Sequence, residues 1–416
     1  MMSLSLHRSH FKMKYVILLW MLVFCLGWWF YIDSPVEDQL CNINLIRTLT
    51  CNRFKKGIIS GTKCLEICDT DFIQIKRCIS SDPSFQVYEG LIKGIKERKK
   101  KSPDIYLTIK QRIEPAEVAF AKPEKGQSMD DFRIMLSGYL ARKFGEGNHE
   151  GVLMKILEVA DVNNDGKVSL AEAKTIWALL QEKDFLTTML LSDSDHIPKL
   201  YGFCGSMYIT EGVMEYQLYG SRLPGVINAV LPSGLRSASE QASAPLWNHK
   251  AHIAVGLLEF VEEMYDSPKG NMHFCSANQH SIGFTNNFDV KVLDLDNIFL
   301  ENKLVSTLKE FPCHKNADCV VGNDCRSLCN MDTQHCTGEI LYPNLRKICS
   351  VMYDYLLYRA PDSIKVKIRE NLDKCLQLVT TDSEMQLKHS LILNDLKNLL
   401  WTQIADLKKF SNPKPK

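Results

Sequence analysis

The chain has 416 residues, 45% of them hydrophobic, enough to close a large folded core and unlike the composition of a disordered chain. Fifty Lys and Arg against 49 Asp and Glu leave a formal charge of +1, which excludes the basic field of a nucleic-acid binder, so no nucleic-acid partner is expected. Fifteen cysteines, all but Cys25 after residue 40, exclude an ordinary reduced cytosolic enzyme and point to an oxidising compartment.

Arg8, Lys12 and Lys14 precede an uncharged run, YVILLWMLVFCLGWWFYI, over residues 15–32. That length is about the shortest helix that crosses a bilayer core of roughly 30 Å. The run ends in Trp28, Trp29, Phe30 and Tyr31, an interfacial belt rather than the small residues a signal peptidase needs. Asp33, Glu37 and Asp38 follow it. The positive-inside bias therefore predicts a single-pass type II signal anchor, with a cytosolic tail at 1–14 and the rest of the chain lumenal.

Residues 33–80 read as a cysteine-stapled module holding Cys41, Cys51, Cys64, Cys68 and Cys78, and a second bunch runs from Cys313 to Cys375. Both read as disulfides, since the tight C-x2-C pairs and accompanying His pairs of a zinc site are missing. FQVYEGLIKG (85–94) alternates as a strand, KERKKKSP (96–103) reads as a solvated hairpin loop and IYLTIKQRI (105–113) as a second strand. Helical periodicity dominates 129–191. YGFCGSMYITEGV (201–213) predicts a strand pair, HKAHIAVGLLEFVEEMY (249–265) a long amphipathic helix, and 344–409 a largely helical tail.

Within the helical stretch, DVNNDGKVSLAE (161–172) fits the EF-hand loop pattern. Asp161, Asn163, Asp165 and Ser169 offer side-chain oxygens, Lys167 its backbone carbonyl and Glu172 a bidentate carboxylate, while Gly166 supplies the turn. Calcium takes six to eight such hard oxygens, so Ca2+ is the expected cofactor; a lone loop without a partner predicts modest affinity. The exit helix reads as continuous through Glu182 and Asp184, which would let calcium order the element carrying those acids.

The order of the remaining motifs resembles a protein kinase. Lys110 in LTIK stands as the strand lysine that holds nucleotide phosphates, with Asp184, or Glu182, as its carboxylate partner. LYGFC and YITEGV lead toward a hinge near Glu211, NMHFCSANQHSIGF takes the catalytic-loop position and KVLDLDNIF the metal-binding position, with Asp294 as the metal Asp. With the loop DVNNDGKVSLAEAK, the run CHKNADCVVGNDCRSLCNMDTQHC (313–336) and the tail HSLILNDLKNLLW (389–401), the chain resembles the divergent protein kinase domain 1 family. That resemblance implies an α+β, bilobal kinase-like fold with an EF-hand in the small lobe, residence in the endoplasmic reticulum membrane, and ATP with Mg2+ or Mn2+ as ligand. The organisation expected is a small lobe at 81–210 with the EF-hand insert at 150–182, and a large lobe at 211–416 with a cysteine-rich segment at 313–349.

At kinase spacing, counting back from Asp294, the base Asp and the metal-binding Asn fall on Ser276 and Ser281. A serine hydroxyl carries no charge to hold the acceptor's proton and is a weaker magnesium ligand than a carboxamide. Leu295-Asp296 replaces Phe-Gly, only Gly90 and Gly94 remain of a glycine-rich loop, and Asn278 and His280 read as polar residues of an exposed loop. The expectation is a calcium-binding, kinase-like lumenal protein with impaired catalysis that serves as a regulatory or binding module; the alternative is an active secretory-pathway kinase with a non-standard catalytic loop. No lumenal partner or substrate follows from the sequence.

Overall fold

The structure is a computed structural model that describes residues 15–16, 18–25, 27, 42–70, 72–81, 85–93, 96–97, 100–101, 104–112, 123–213, 218–219, 232–265 and 267–411. Of the expected anchor, Tyr15, Val16, 18–25 and Gly27 are helical and exposed, while residues 28–32 lie outside the described residues. Among the described residues no helix is long and apolar enough to cross a membrane.

α1 (Ile43–Lys55) begins where Asn42 Oδ1 accepts the Leu45 N–H at 2.9 Å, and α2 (Cys64–Cys68) is joined to it by the Cys51–Cys68 disulfide. β1 (Ile73–Ser81), β2 (Phe85–Ile92), β3 (Ile105–Arg112), β4 (Leu200–Cys204) and β5 (Met207–Glu211) form one antiparallel sheet in the order β1-β2-β3-β5-β4. Residues 73–80, read above as the end of the cysteine-rich module, are thus the edge strand of the sheet. Strand alternation sorts β3: Leu107, Ile109 and Gln111 are buried on one face, and Thr108, Lys110 and Arg112 point to the other. The first face packs Ile46 and Ile67 of α1 and α2 against Ile73, Tyr88, Leu107, Ile109, Met207 and Ile209. Cys64–Cys204 fixes that layer covalently.

α3 (Met129–Phe144) starts in a Ser128/Asp131 capping box, then come α4 (Glu150–Ala160), α5 (Leu170–Leu180) and α6 (Lys183–Leu190). α5 and α6 are not one helix. Gln181 closes α5, and Glu182 is extended (φ −79°, ψ 115°) as the N-cap of α6, so the expected continuity from the acidic loop to Asp184 fails at this corner.

In the helical half, α7 (Ser233–Ser243) precedes α8 (Trp247–Tyr265), whose Ile253, Ala254, Leu257, Leu258 and Val261 are buried in the main core. Two short ladders follow: β6 (Met272–Phe274) pairs with β9 (Ile298–Leu300), and between them β7 (Ile282–Phe284) pairs with β8 (Val290–Val292). α9 (Glu301–Lys309), a disulfide-knotted segment, and α10 (Asn344–Leu357), α11 (Asp362–Leu376) and α12 (Met385–Ser411) complete the chain. Cys275–Cys325, Cys313–Cys329, Cys319–Cys336 and Cys349–Cys375 are bonded, as is Cys78. Cys313, Cys319 and Cys329 lie close together, but as disulfides they offer no thiolate to a metal.

Candidate active site

Lys110 and Arg112, two residues apart on β3, project toward the first turn of α6. Lys110 Nζ lies 2.5 Å from Asp184 Oδ2, and Arg112 pairs with Glu182. Two strand cations thus meet two helix-start carboxylates in register. Asp184 also accepts the Tyr208 hydroxyl at 2.7 Å. Its place in the first turn of α6 suits a carboxylate, because free backbone N–H groups there carry partial positive charge. Burial, then the Asp184 charge, holds the Tyr208 phenol well above its usual range, keeping it a donor. The Glu182 carboxylate pushes Arg112 further up.

The β6/β9 and β7/β8 ladders set two loops side by side. Cys275 N donates to Asn297 O at 2.7 Å, and Leu293 N to Ser281 O at 2.9 Å. Asp294 is held by Asn297, whose Nδ2 donates to both carboxylate oxygens at 3.1 and 3.0 Å. Asp296, two residues on, keeps part of its surface exposed. Its carboxyl is pushed up to about 6, by the protein atoms crowded around it and then by the charge of Asp184, while Lys183 and Lys110 pull the other way. Lys110, Asp184, Asp294 and Asp296 therefore share one electrostatic environment, although Lys110 and Asp294 are remote in sequence.

Ser276 and Ser281 are 5% and 3% exposed. Ser276 Oγ accepts from Asn278 Nδ2 at 3.2 Å and from Asn323 Nδ2 at 3.0 Å; Ser281 Oγ accepts the Asn278 N–H at 3.1 Å and donates to Ser276 O at 2.7 Å. Both hydroxyls are spent on shaping the loop. Asn278, read above as an exposed loop residue, is half-buried and ties the loop together, whereas His280 is exposed. The knotted segment leans on the same loop: Asp324 Oδ2 accepts the Ala277 N–H at 3.0 Å, and Cys325 is bonded to Cys275. Gly90 is a packing position, since a Cβ there would sit 2.7 Å from Ile109 Cδ1, and Gly94 lies outside the described residues.

The acidic loop between α4 and α5 is a closed ring of hydrogen bonds. Asp161 Oδ2 accepts the Gly166 N–H at 2.8 Å, and the Asp165 N–H points at both Asp161 Oδ1 and Asn163 Oδ1, at 3.1 and 3.3 Å. Glu172, 5% exposed, reaches back with one oxygen to Val162 N (3.1 Å) and the other to Ser169 N (2.7 Å). Gly166 has φ +76°, which a glycine adopts at no steric cost. Side-chain oxygens from Asp161, Asn163, Asp165, Ser169 and Glu172 are gathered around one short loop that also carries Lys167.

Arg112, Lys183, Tyr208, Asn297 and Asn323 escaped the sequence reading. Arg112 was legible as the same-face neighbour of Lys110; Asn323 had no signal, because only the Cys275–Cys325 pairing brings it in.

A five-stranded antiparallel sheet whose lysine pairs with a helix carboxylate, followed by paired ladders presenting a catalytic-type and a metal-type loop, defines a protein-kinase-like domain. Two family models match: one described as the protein-kinase domain of FAM69, over residues 176–378, and one as the N-terminal cysteine-rich ER part of FAM69, over residues 7–158. The chain belongs to the FAM69 family, the divergent protein kinase domain 1 family that its motifs resemble. Lys110 falls in the N-terminal match and Asp184, Ser276, Ser281 and Asp294 in the C-terminal one, while the whole acidic loop, 161–172, lies between them.

Proposed function

We propose that this chain is a calcium-binding, kinase-like protein of the endoplasmic reticulum lumen, anchored by residues 15–32, whose cleft binds nucleotide but is impaired in phosphotransfer and serves a regulatory or binding role. The observation that carries the reading is the contrast between the paired Lys110–Asp184 side chains and the buried, hydrogen-bonded hydroxyls of Ser276 and Ser281. Lys110 and Asp294 would hold the phosphates and their divalent ion; nothing at position 276 would accept a proton. The gathered oxygens of Asp161, Asn163, Asp165, Ser169 and Glu172 suit calcium as hard donors, with the Lys167 carbonyl completing the set.

The test is a thermal shift of the full chain in detergent with Mg-ATP or Mn-ATP, beside an assay for phosphate incorporation. A shift lost in Lys110→Met, with no incorporation, supports the proposal; no shift at all removes the nucleotide reading. Incorporation abolished by Asp294→Asn would establish the alternative, an active kinase with a non-standard base, which the intact Lys110–Asp184 pair favours.

A further inference from the structure

Three lysines on separate elements come together beside the cleft. Lys143 lies in the last turn of α3, Lys183 opens α6 and Lys303 lies in the first turn of α9. The end of α3 is laid on the start of α9: at Gly145, φ +87°, a Cβ would sit 3.4 Å from Lys303 N. Lys183 Nζ lies 3.5 Å from the Phe299 ring centroid on β9, and Lys143 Nζ 5.5 Å from that of Tyr139. All three residues are half-buried, and none of their ammonium groups forms an ion pair among the described residues.

This placement works against the charges. Burial pushes Lys183 down to about 8, offset in part by Asp296 and Asp294, and burial with the like charge of Lys303 pushes Lys143 down. Surface lysines normally turn their heads to water or to a carboxylate. Here the heads of Lys143 and Lys183 stay partly desolvated, Lys143 beside the like charge of Lys303 and Lys183 beside the Asp294 loop, an arrangement that an anion would relieve.

We propose that Lys143, Lys183 and Lys303 form a subsite for a phosphate group, either the terminal phosphate of a nucleotide in the cleft or one carried by a second molecule at its mouth. The inference rests on the reading of the cleft as a nucleotide site. Three ammonium point charges carried by three separate elements suit a tetrahedral, multiply charged anion.

The test titrates the full chain with inorganic pyrophosphate and with ATP, comparing wild type, Lys143→Gln/Lys303→Gln and Lys143→Arg/Lys303→Arg. Pyrophosphate affinity falls by at least about tenfold in the glutamine pair and is kept in the arginine pair, which preserves both charges. A parallel fall in ATP affinity identifies the nucleotide's own phosphate; unchanged ATP affinity identifies a second molecule's. Pyrophosphate that binds wild type and the glutamine pair equally, or neither, overturns the proposal. Failure of the nucleotide reading shows separately, as ATP affinity indifferent to Lys110→Met.

Discussion

Replacing Asp184 by alanine strips the shared partner from Lys110 and from the Tyr208 hydroxyl in one step. The two ion-pair side chains keep only 18% and 12% of their surface, so the ammonium left behind is largely desolvated. Breaking a buried pair in this way costs about 3–5 kcal/mol. Because Lys110 can still draw some water to its tip, we take about 3 kcal/mol. At about 2.1 cal/mol/K of unfolding entropy per residue, that is a fall in Tm of roughly 3–4 °C for a chain of 416 residues. Asp184→Asn keeps an acceptor for Tyr208 and should lose about half as much. The assay is thermal unfolding of Asp184→Ala, Lys110→Met and the double variant, with a coupling of at least about 1 kcal/mol in the cycle. Coupling near zero, or equal losses for the alanine and asparagine variants, would refute a desolvated pair.

Calcium titration calorimetry should show one site in the wild type and no measurable binding in Glu172→Gln, which loses the bidentate carboxylate; equal affinity rejects the loop as the site. Lys250 and Lys347 are each pushed down by burial to about 8 from the usual 10.5. Between these values the unfolded chain binds more protons than the folded one, so their contribution to stability rises as pH climbs from about 8 to about 10. Tm followed over that range should climb less in Lys347→Met. Cys275→Ser/Cys325→Ser removes a bridge spanning 50 residues, at a cost of about 2–4 kcal/mol, and should speed amide exchange at Ala277 and Ser281. Unchanged exchange there would mean that the knotted segment does not hold the loop.

Lys110 was legible because a strand lysine, a helix acid and an Asp-bearing hairpin recur in a fixed order along the chain. Which acid it meets was not. Glu182 and Asp184 both sit at the start of α6, and two strand cations two residues apart can pair with them in either sense; only the twist of β3 against α6 decides. The corner between α5 and α6 left no mark either, since Gln181-Glu182-Lys183 contains neither Gly nor Pro and is a good helical sequence that tertiary packing overrides. The burial of Ser276 was hidden for a different reason. It depends on Asn323, delivered from 47 residues away by a disulfide whose pairing no spacing rule fixes.

The broken corner changes how calcium could reach the cleft. A continuous helix would carry order from Glu172 to Asp184 along its hydrogen bonds, whereas the observed α5 is tied sideways. Ser60 N donates to Thr175 Oγ1 at 3.0 Å, and the segment carrying Ser60 is joined to the sheet by Lys63 N donating to Phe203 O, also at 3.0 Å. Cys64–Cys204 locks that junction. Calcium that draws Glu172 inward would therefore shift α5 against a fixed cysteine-rich layer and load the Gln181–Glu182 corner, where Arg112 grips Glu182. Coupling by this route predicts calcium-dependent slowing of amide exchange at residues 181–186 that disappears when Arg112 is replaced by Met, with exchange in α5 still slowed. Exchange at 181–186 that ignores calcium, or slows equally in Arg112→Met, would place the coupling elsewhere.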